Sequence, residues 1–206
     1  MDIVLLLMTL IGAVLVILGL WFVWAALLDE EVETAKYRIL RRLKSGVEIR
    51  RYGKALIAMT TVKLSGNTDN RAFGKIAGYI FGANKKQEKI AMTAPVLTSQ
   101  EKGKMTMAFF MPKTHGKEDL PAPVDRDVGI SEMPERTIAV IGFSWYADRS
   151  SVMKNEERLL KALEDERIKT RGAPFLLRYN APWTPPPMMR NEVGIEVVAE
   201  EKGKRK

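Results

Sequence analysis

The chain has 206 residues, with 33 Lys and Arg against 25 Asp and Glu, a net charge of +8, one histidine and no cysteine. That length suits one domain plus an added segment. Lack of cysteine excludes disulfides, thiolate metal sites and a cysteine nucleophile, and a lone His115 excludes any site needing two imidazole ligands from one chain.

Residues 3–28 are uncharged and overwhelmingly apolar. As a helix they would run about 39 Å, enough for a hydrocarbon core of about 30 Å. The length of the stretch, Asp2 in place of a basic leader and the absence of a small-residue cleavage site favour a retained anchor over a cleaved signal. Trp21, Phe22 and Trp24 near its end suit an interfacial belt. Lys36, Arg38, Arg41, Arg42 and Lys44 follow, and no basic residue precedes them. The expectation is a single-pass membrane protein with its soluble domain on the cytoplasmic side, export being the alternative. The reading divides the chain into an anchor (1–28), a juxtamembrane segment with the first strand (29–45), a barrel domain (46–199) and a basic tail (200–206). Its basic residues are scattered among acids and are not interleaved with aromatics, which speaks against nucleic acid as a partner. A protein partner is not specified by the sequence.

Val47 to Tyr52, a turn at Gly53-Lys54 and Ala55 to Leu64 read as a hairpin. Phe73, Ile76, Ala77 and Ile80 then recur at helical spacing, with Asn67, Thr68 or Asp69 as N-cap and the end near Gly82. Met105 to Met111 is a strand, and Pro112 to Pro123 a loop. The order repeats: Val128 to Met133, a turn at Pro134-Glu135, Thr137 to Trp145, and a helix from Ser150 to Ile168. Val47, Ile49, Ile57 and Ala58 find the same residue type eighty-one positions later, at Val128, Ile130, Ile138 and Ala139. The pattern predicts an α+β domain of duplicated β-β-α-β units, its sheet curved toward a barrel with two helices against it. Phe175 to Asn180 and Val193 to Ala199 are the last strands, separated by a loop stiffened by Pro182, Pro185, Pro186 and Pro187.

The runs Val47-Glu48-Ile49-Arg50-Arg51-Tyr52-Gly53, Tyr79-Ile80-Phe81-Gly82-Ala83-Asn84, Lys89-Ile90-Ala91-Met92-Thr93-Ala94-Pro95-Val96 and Arg190-Asn191-Glu192-Val193 resemble the SOUL/heme-binding protein family over residues 33 to 198. The resemblance implies a distorted eight-stranded β-barrel flanked by two helices, and heme or a related porphyrin as ligand. Some members proposed to use an axial histidine carry it where this chain has Arg51. Arg51 offers instead a bidentate fork for a propionate, or is an exposed strand charge. The sole imidazole, His115, lies in a polar loop, as a candidate axial ligand or a solvated side chain. The first helix aligns Arg71, Gly74, Lys75, Gly78 and Gly82 on one side, a smooth cationic face for an anionic planar ring or a site of close packing. The expected function is a non-catalytic, membrane-anchored heme carrier, buffer or sensor, with a cleft beside that helix. The alternatives are a membrane-tethered module for a protein or amphiphile, and an enzyme using Glu48 or Glu192, which neighbouring arginines make better candidates for ion pairs.

Overall fold

The computed structural model describes residues 3–27, 32–66 and 68–198. The ends of the anchor and juxtamembrane boundaries, Asn67 and the whole basic tail lie outside the described residues. Helix α1 (Ile3–Leu27) is followed by β1 (Glu33–Thr34), β2 (Tyr37–Arg42), β3 (Glu48–Tyr52), β4 (Ala55–Lys63), α2 (Thr68–Ile80), β5 (Thr93–Ala94), β6 (Val96–Glu101) and β7 (Lys104–Phe110). Then come β8 (Val128–Met133), β9 (Arg136–Phe143), α3 (Arg149–Asp165), β10 (Thr170–Arg178) and β11 (Asn191–Val197). In α1 the segment Ile3–Trp24 has mean hydropathy 3.0 and none of it is buried. It is long and apolar enough to cross a bilayer.

The main sheet runs β2-β3-β9-β11-β10-β6-β7-β4-β8. Leaving aside β2, exchanging β3 with β8, β4 with β9, β6 with β10 and β7 with β11 reverses this order onto itself, so two similar units meet between β6 and β10. Their elements start eighty-one residues apart, at Ala55 and Arg136 and again at Thr68 and Arg149. The duplication expected from sequence is therefore real, but each unit is β-β-α-β-β. The strand missing from the sequence reading is the polar Val96–Glu101, and β10 begins five residues before the predicted Phe175.

The two predicted hairpins are absent. β3 pairs with β9 (Tyr52↔Arg136) and β4 with β8 (Ala55↔Met133), both antiparallel. Between these pairs each chain advances three residues, so the two ladders share one register. Gly53-Lys54 and Pro134-Glu135 are facing bends in a single two-stranded ribbon. The proline, which cannot donate a ladder hydrogen bond, sits where pairing lapses. Bending this ribbon connects the two ends of the eight-stranded order through the chain itself and curls the sheet into a half-barrel. β2 adds a ninth strand beside β3.

Alternation along the strands divides the core. On the outer face, Ala72, Ile76, Tyr79 and Ile80 of α2 pack over Met105, Met107 and Phe109. Leu159 and Leu163 of α3 pack over Ile49, Val193 and Ile195. Each side chain buried in this way contributes about 1.5–3 kcal/mol. α3 begins where the Asp148 carboxylate accepts from the Ser151 N–H at 2.7 Å, a side-chain N-cap. The concave face holds Tyr52, Ile138, Val140, Phe175 and Leu177.

Candidate functional site

At the ribbon's bend a cleft of about 380 Å³ opens between three walls. The first is the bend itself, Tyr52 to Leu56; the second is the chain from Glu33 to Lys36 that follows α1. The third is Thr93 with Phe110 to Lys113 and His115. These walls are tied together locally. β1 lies parallel to β5, the Ala35 N–H donates to the Ala94 carbonyl at 2.9 Å, the Lys113 N–H donates to Glu33 Oε1 at 3.3 Å, and Thr93 Oγ1 donates to the Phe110 carbonyl at 2.6 Å. His115 is thus brought to a cavity by residues far from it in sequence.

The chemistry of the cleft is mixed. Leu56, Phe110 and Met111 supply apolar surface, while Lys36, Lys54 and Lys113 are exposed at its rim. The Tyr52 hydroxyl is buried and has no hydrogen-bond partner. Burial pushes this phenol's pKa up, keeping it a neutral donor, and its polar neighbours include Arg50 and Tyr179 on the concave face. His115 is partly buried, with Nδ1 3.1 Å from the Thr114 hydroxyl. An imidazole, a phenol, three ammonium groups and apolar walls fit a planar, apolar ring bearing carboxylates and a metal.

The residues singled out on α2 are engaged elsewhere. Arg71 donates to the Lys63 carbonyl and to Ser65 Oγ, at 2.9 and 2.8 Å, bracing the loop between β4 and α2. Lys75 donates to Asp125 at 2.7 Å and Asp127 at 2.9 Å. Those bonds raise the Lys75 pKa and hold Asp125 below the usual carboxylate range. Gly74 faces open space, and a Cβ on Gly78 would meet only Ala83, at 3.9 Å. Gly82 has a φ of +112°, the left-handed region that favours glycine after a helix. The cleft at the bend is lined by no residue of α2, so it is not the one expected beside the first helix. Arg51 points outward, half-exposed and 3.7 Å from Glu135.

A second group of charges lies on the concave face. Arg50 donates through Nη1 and Nη2 to Glu192, at 2.7 and 3.2 Å, and through Nε to Glu48 at 2.8 Å. Arg190 donates to Glu192 at 2.7 Å and Tyr179 Oη donates to it at 2.8 Å. The Arg50 guanidinium stacks 4.2 Å from the centre of the Tyr37 ring and that of Arg190 3.9 Å from Tyr179. Burial opposes charge on Arg50, yet the Glu192 carboxylate outweighs it and holds its pKa above the ordinary value. Sequence proximity anticipated the Glu48–Arg50 and Glu192–Arg190 pairs. It could not show the contact from Arg50 to Glu192, which joins residues 142 positions apart.

A family model described as SOUL heme-binding protein matches residues 32–196. Heme-binding protein 2 of Homo sapiens is 34% identical over 149 residues, covering 66% of this chain and 70% of that protein. The Mus musculus protein of the same name is 33% identical over 173 residues, covering 72% and 80%. Among solved structures, the EcmrR C-terminal domain aligns with a TM-score of 0.59 at 12% identity, over 80% of this chain and 99% of that one. A protein described as a hydrolase from Listeria innocua aligns at 0.55 and 11% identity, over 79% and 94%. These two likenesses concern the fold alone. The family match over most of the barrel and the similarity to the two curated proteins have one meaning: the chain belongs to the SOUL heme-binding protein family.

Proposed function

We propose that this protein is a membrane-anchored heme carrier, buffer or sensor that performs no reaction of its own, and that its ligand sits in the cleft at the ribbon's bend. Family membership supports heme as the ligand. The observation that carries the location is the convergence of His115 and three rim lysines on one cavity with Leu56, Phe110 and Met111 in its walls. In this reading His115 is the metal ligand, Lys36, Lys54 and Lys113 meet the carboxylates, and Leu56, Phe110 and Met111 cover the ring. The bound group would supply redox and axial-ligand chemistry at its metal. Glu48 and Glu192, the carboxylates considered for catalysis, are occupied by arginines, which supports a binding role. α1 is read as the span, with the basic residues that follow it on the cytoplasmic side.

The cationic, glycine-lined face of α2 is the second reading, kept because Gly74 leaves open surface beside Arg71 and Lys75. A hemin titration of the full chain in detergent, followed in the Soret region, separates the two. The cleft reading expects saturable one-to-one binding that His115→Ala weakens by about tenfold or more with a changed spectrum, and that Arg71→Ala/Lys75→Ala leaves intact. The reverse pattern would move the site to α2. No saturable binding at micromolar hemin would favour a membrane-tethered interaction module.

A further inference from the structure

We infer that the cleft end of the barrel rests on the anionic headgroup layer of the bilayer that holds α1, so the cleft opens at the membrane interface. This rests on reading α1 as a membrane span. α1 ends at Leu27 and β1 begins at Glu33. Six residue steps of extended chain reach about 20 Å at most. Glu33 is itself a wall of the cleft, so the tether confines this end of the barrel to the vicinity of the membrane.

The loops gathered there have the composition of an interfacial surface. The segment after α2 and the segment after β7 are joined by the Lys85 N–H donating to the Ala122 carbonyl at 2.9 Å and by the Asn84–Pro123 bridge. Together with Tyr52 to Leu56 and residues 33–36, the stretches 81–92 and 111–119 hold seven lysines against four carboxylates, while Glu132 and Glu135 on the facing strand pair with Lys54 and Arg51. Lys85, Lys86, Lys89 and Lys117 are exposed there and lie outside the cleft's lining. Phe81, at 59% exposure, and Met92, at 38%, stand among them. Basic residues with interspersed apolar side chains, next to a span, are the chemistry that anionic lipid attracts. The opposite end of β2, at Lys44, is a strand length away.

The absence of cysteine permits a clean test. Full-length protein carrying Lys89→Cys or Lys44→Cys is labelled with a fluorophore and reconstituted into phosphatidylcholine vesicles containing headgroup-nitroxide lipid, with or without phosphatidylglycerol. The expected result is about fivefold stronger quenching at position 89 than at 44 in the anionic vesicles. That difference should shrink severalfold, to what the tether alone leaves, in neutral vesicles, at high salt, and in a Lys85→Glu/Lys86→Glu/Lys117→Glu background. Equal quenching at the two positions, or quenching indifferent to lipid charge, overturns the docking. Extraction of the chain from vesicles by alkaline carbonate overturns the anchor reading and the docking with it. None of the three substituted lysines lines the cleft, so hemin titration of the same variants in detergent reports separately on the heme site.

Discussion

Two clusters of charge lie on the curled sheet, and they are built in opposite ways. Around Glu192, 2% exposed, two arginines and a tyrosine hydroxyl converge on one carboxylate. Around the bend, three lysines, an imidazole and a phenol surround a cavity, with Glu33 the one carboxylate of its lining. Charges that complete one another inside a protein fix its shape, because each is held by the partner that offsets its desolvation. Of the rim lysines only Lys54 has an ion pair among the described residues, at 3.7 Å to the exposed Glu132, so the cations beside the hole are held weakly. The first cluster ties β3 to β11 and leaves little for a ligand; the second is open to one.

Breaking the closed cluster gives the largest expected effect. Glu192→Gln leaves Arg50 buried with Glu48 as its one remaining carboxylate and Arg190 with none from this cluster, and should cost about 3 kcal/mol, a fall in Tm of about 10 °C. Hemin affinity of the folded fraction should be unchanged. Replacing both partners together, Arg50→Met/Glu192→Leu, should recover much of the loss. If the single variant melts within about 1 kcal/mol of the parent, the network is not the structural element described here.

The open cluster should respond in the other currency. Lys54→Ala/Lys113→Ala is expected to weaken hemin about tenfold, or ~1.4 kcal/mol, while stability stays within about 0.5 kcal/mol. Spectral titration and thermal melting of one preparation measure both. Lys75 provides the control, since its two aspartates already occupy it. Lys75→Ala should lower stability by less than about 1 kcal/mol and leave hemin binding alone. An exchange of these outcomes would make Lys75 the ligand's contact and the rim lysines solvated charge.

What the sequence disclosed and what it hid follow from the range of the interactions involved. The duplicated order and the eighty-one-residue register were visible because they rest on apolar spacing within each element, as in Ile76 and Ile80 under α2. The bend at Gly53-Lys54 reads as a hairpin turn because a glycine-containing gap between two strand-like runs looks the same in both. Only pairing with residues 128–143 tells them apart. β6 carries no clear strand pattern in sequence because only Thr98 of its six residues is fully buried. His115 looked solvated because its neighbours in sequence are polar, whereas the cavity it meets is walled by Glu33 and Tyr52. The α2 face looked like a site because aligned glycines and cations are a local pattern. Asp125 and Asp127, which occupy Lys75, are some fifty residues away.

The smallest effect lies at the margin of the closed cluster and tests whether its carboxylates are held ionised. Burial would raise the Glu48 pKa, but hydrogen bonds from Arg50 at 2.8 Å and Arg42 at 2.9 Å prevail and lower it from 4.5. The folded state thus binds a proton on Glu48 less readily than the unfolded chain. The resulting stabilisation is complete above the unfolded value and is lost as pH falls through the lower folded one. Glu48 is partly exposed, so the contribution should stay under about 1 kcal/mol. Urea midpoints of the parent and Glu48→Gln should therefore differ by a small constant amount near neutrality and converge as pH drops below about 4. A difference that grows on acidification would mean that burial prevails at Glu48, and that the arginines complete Glu192 alone.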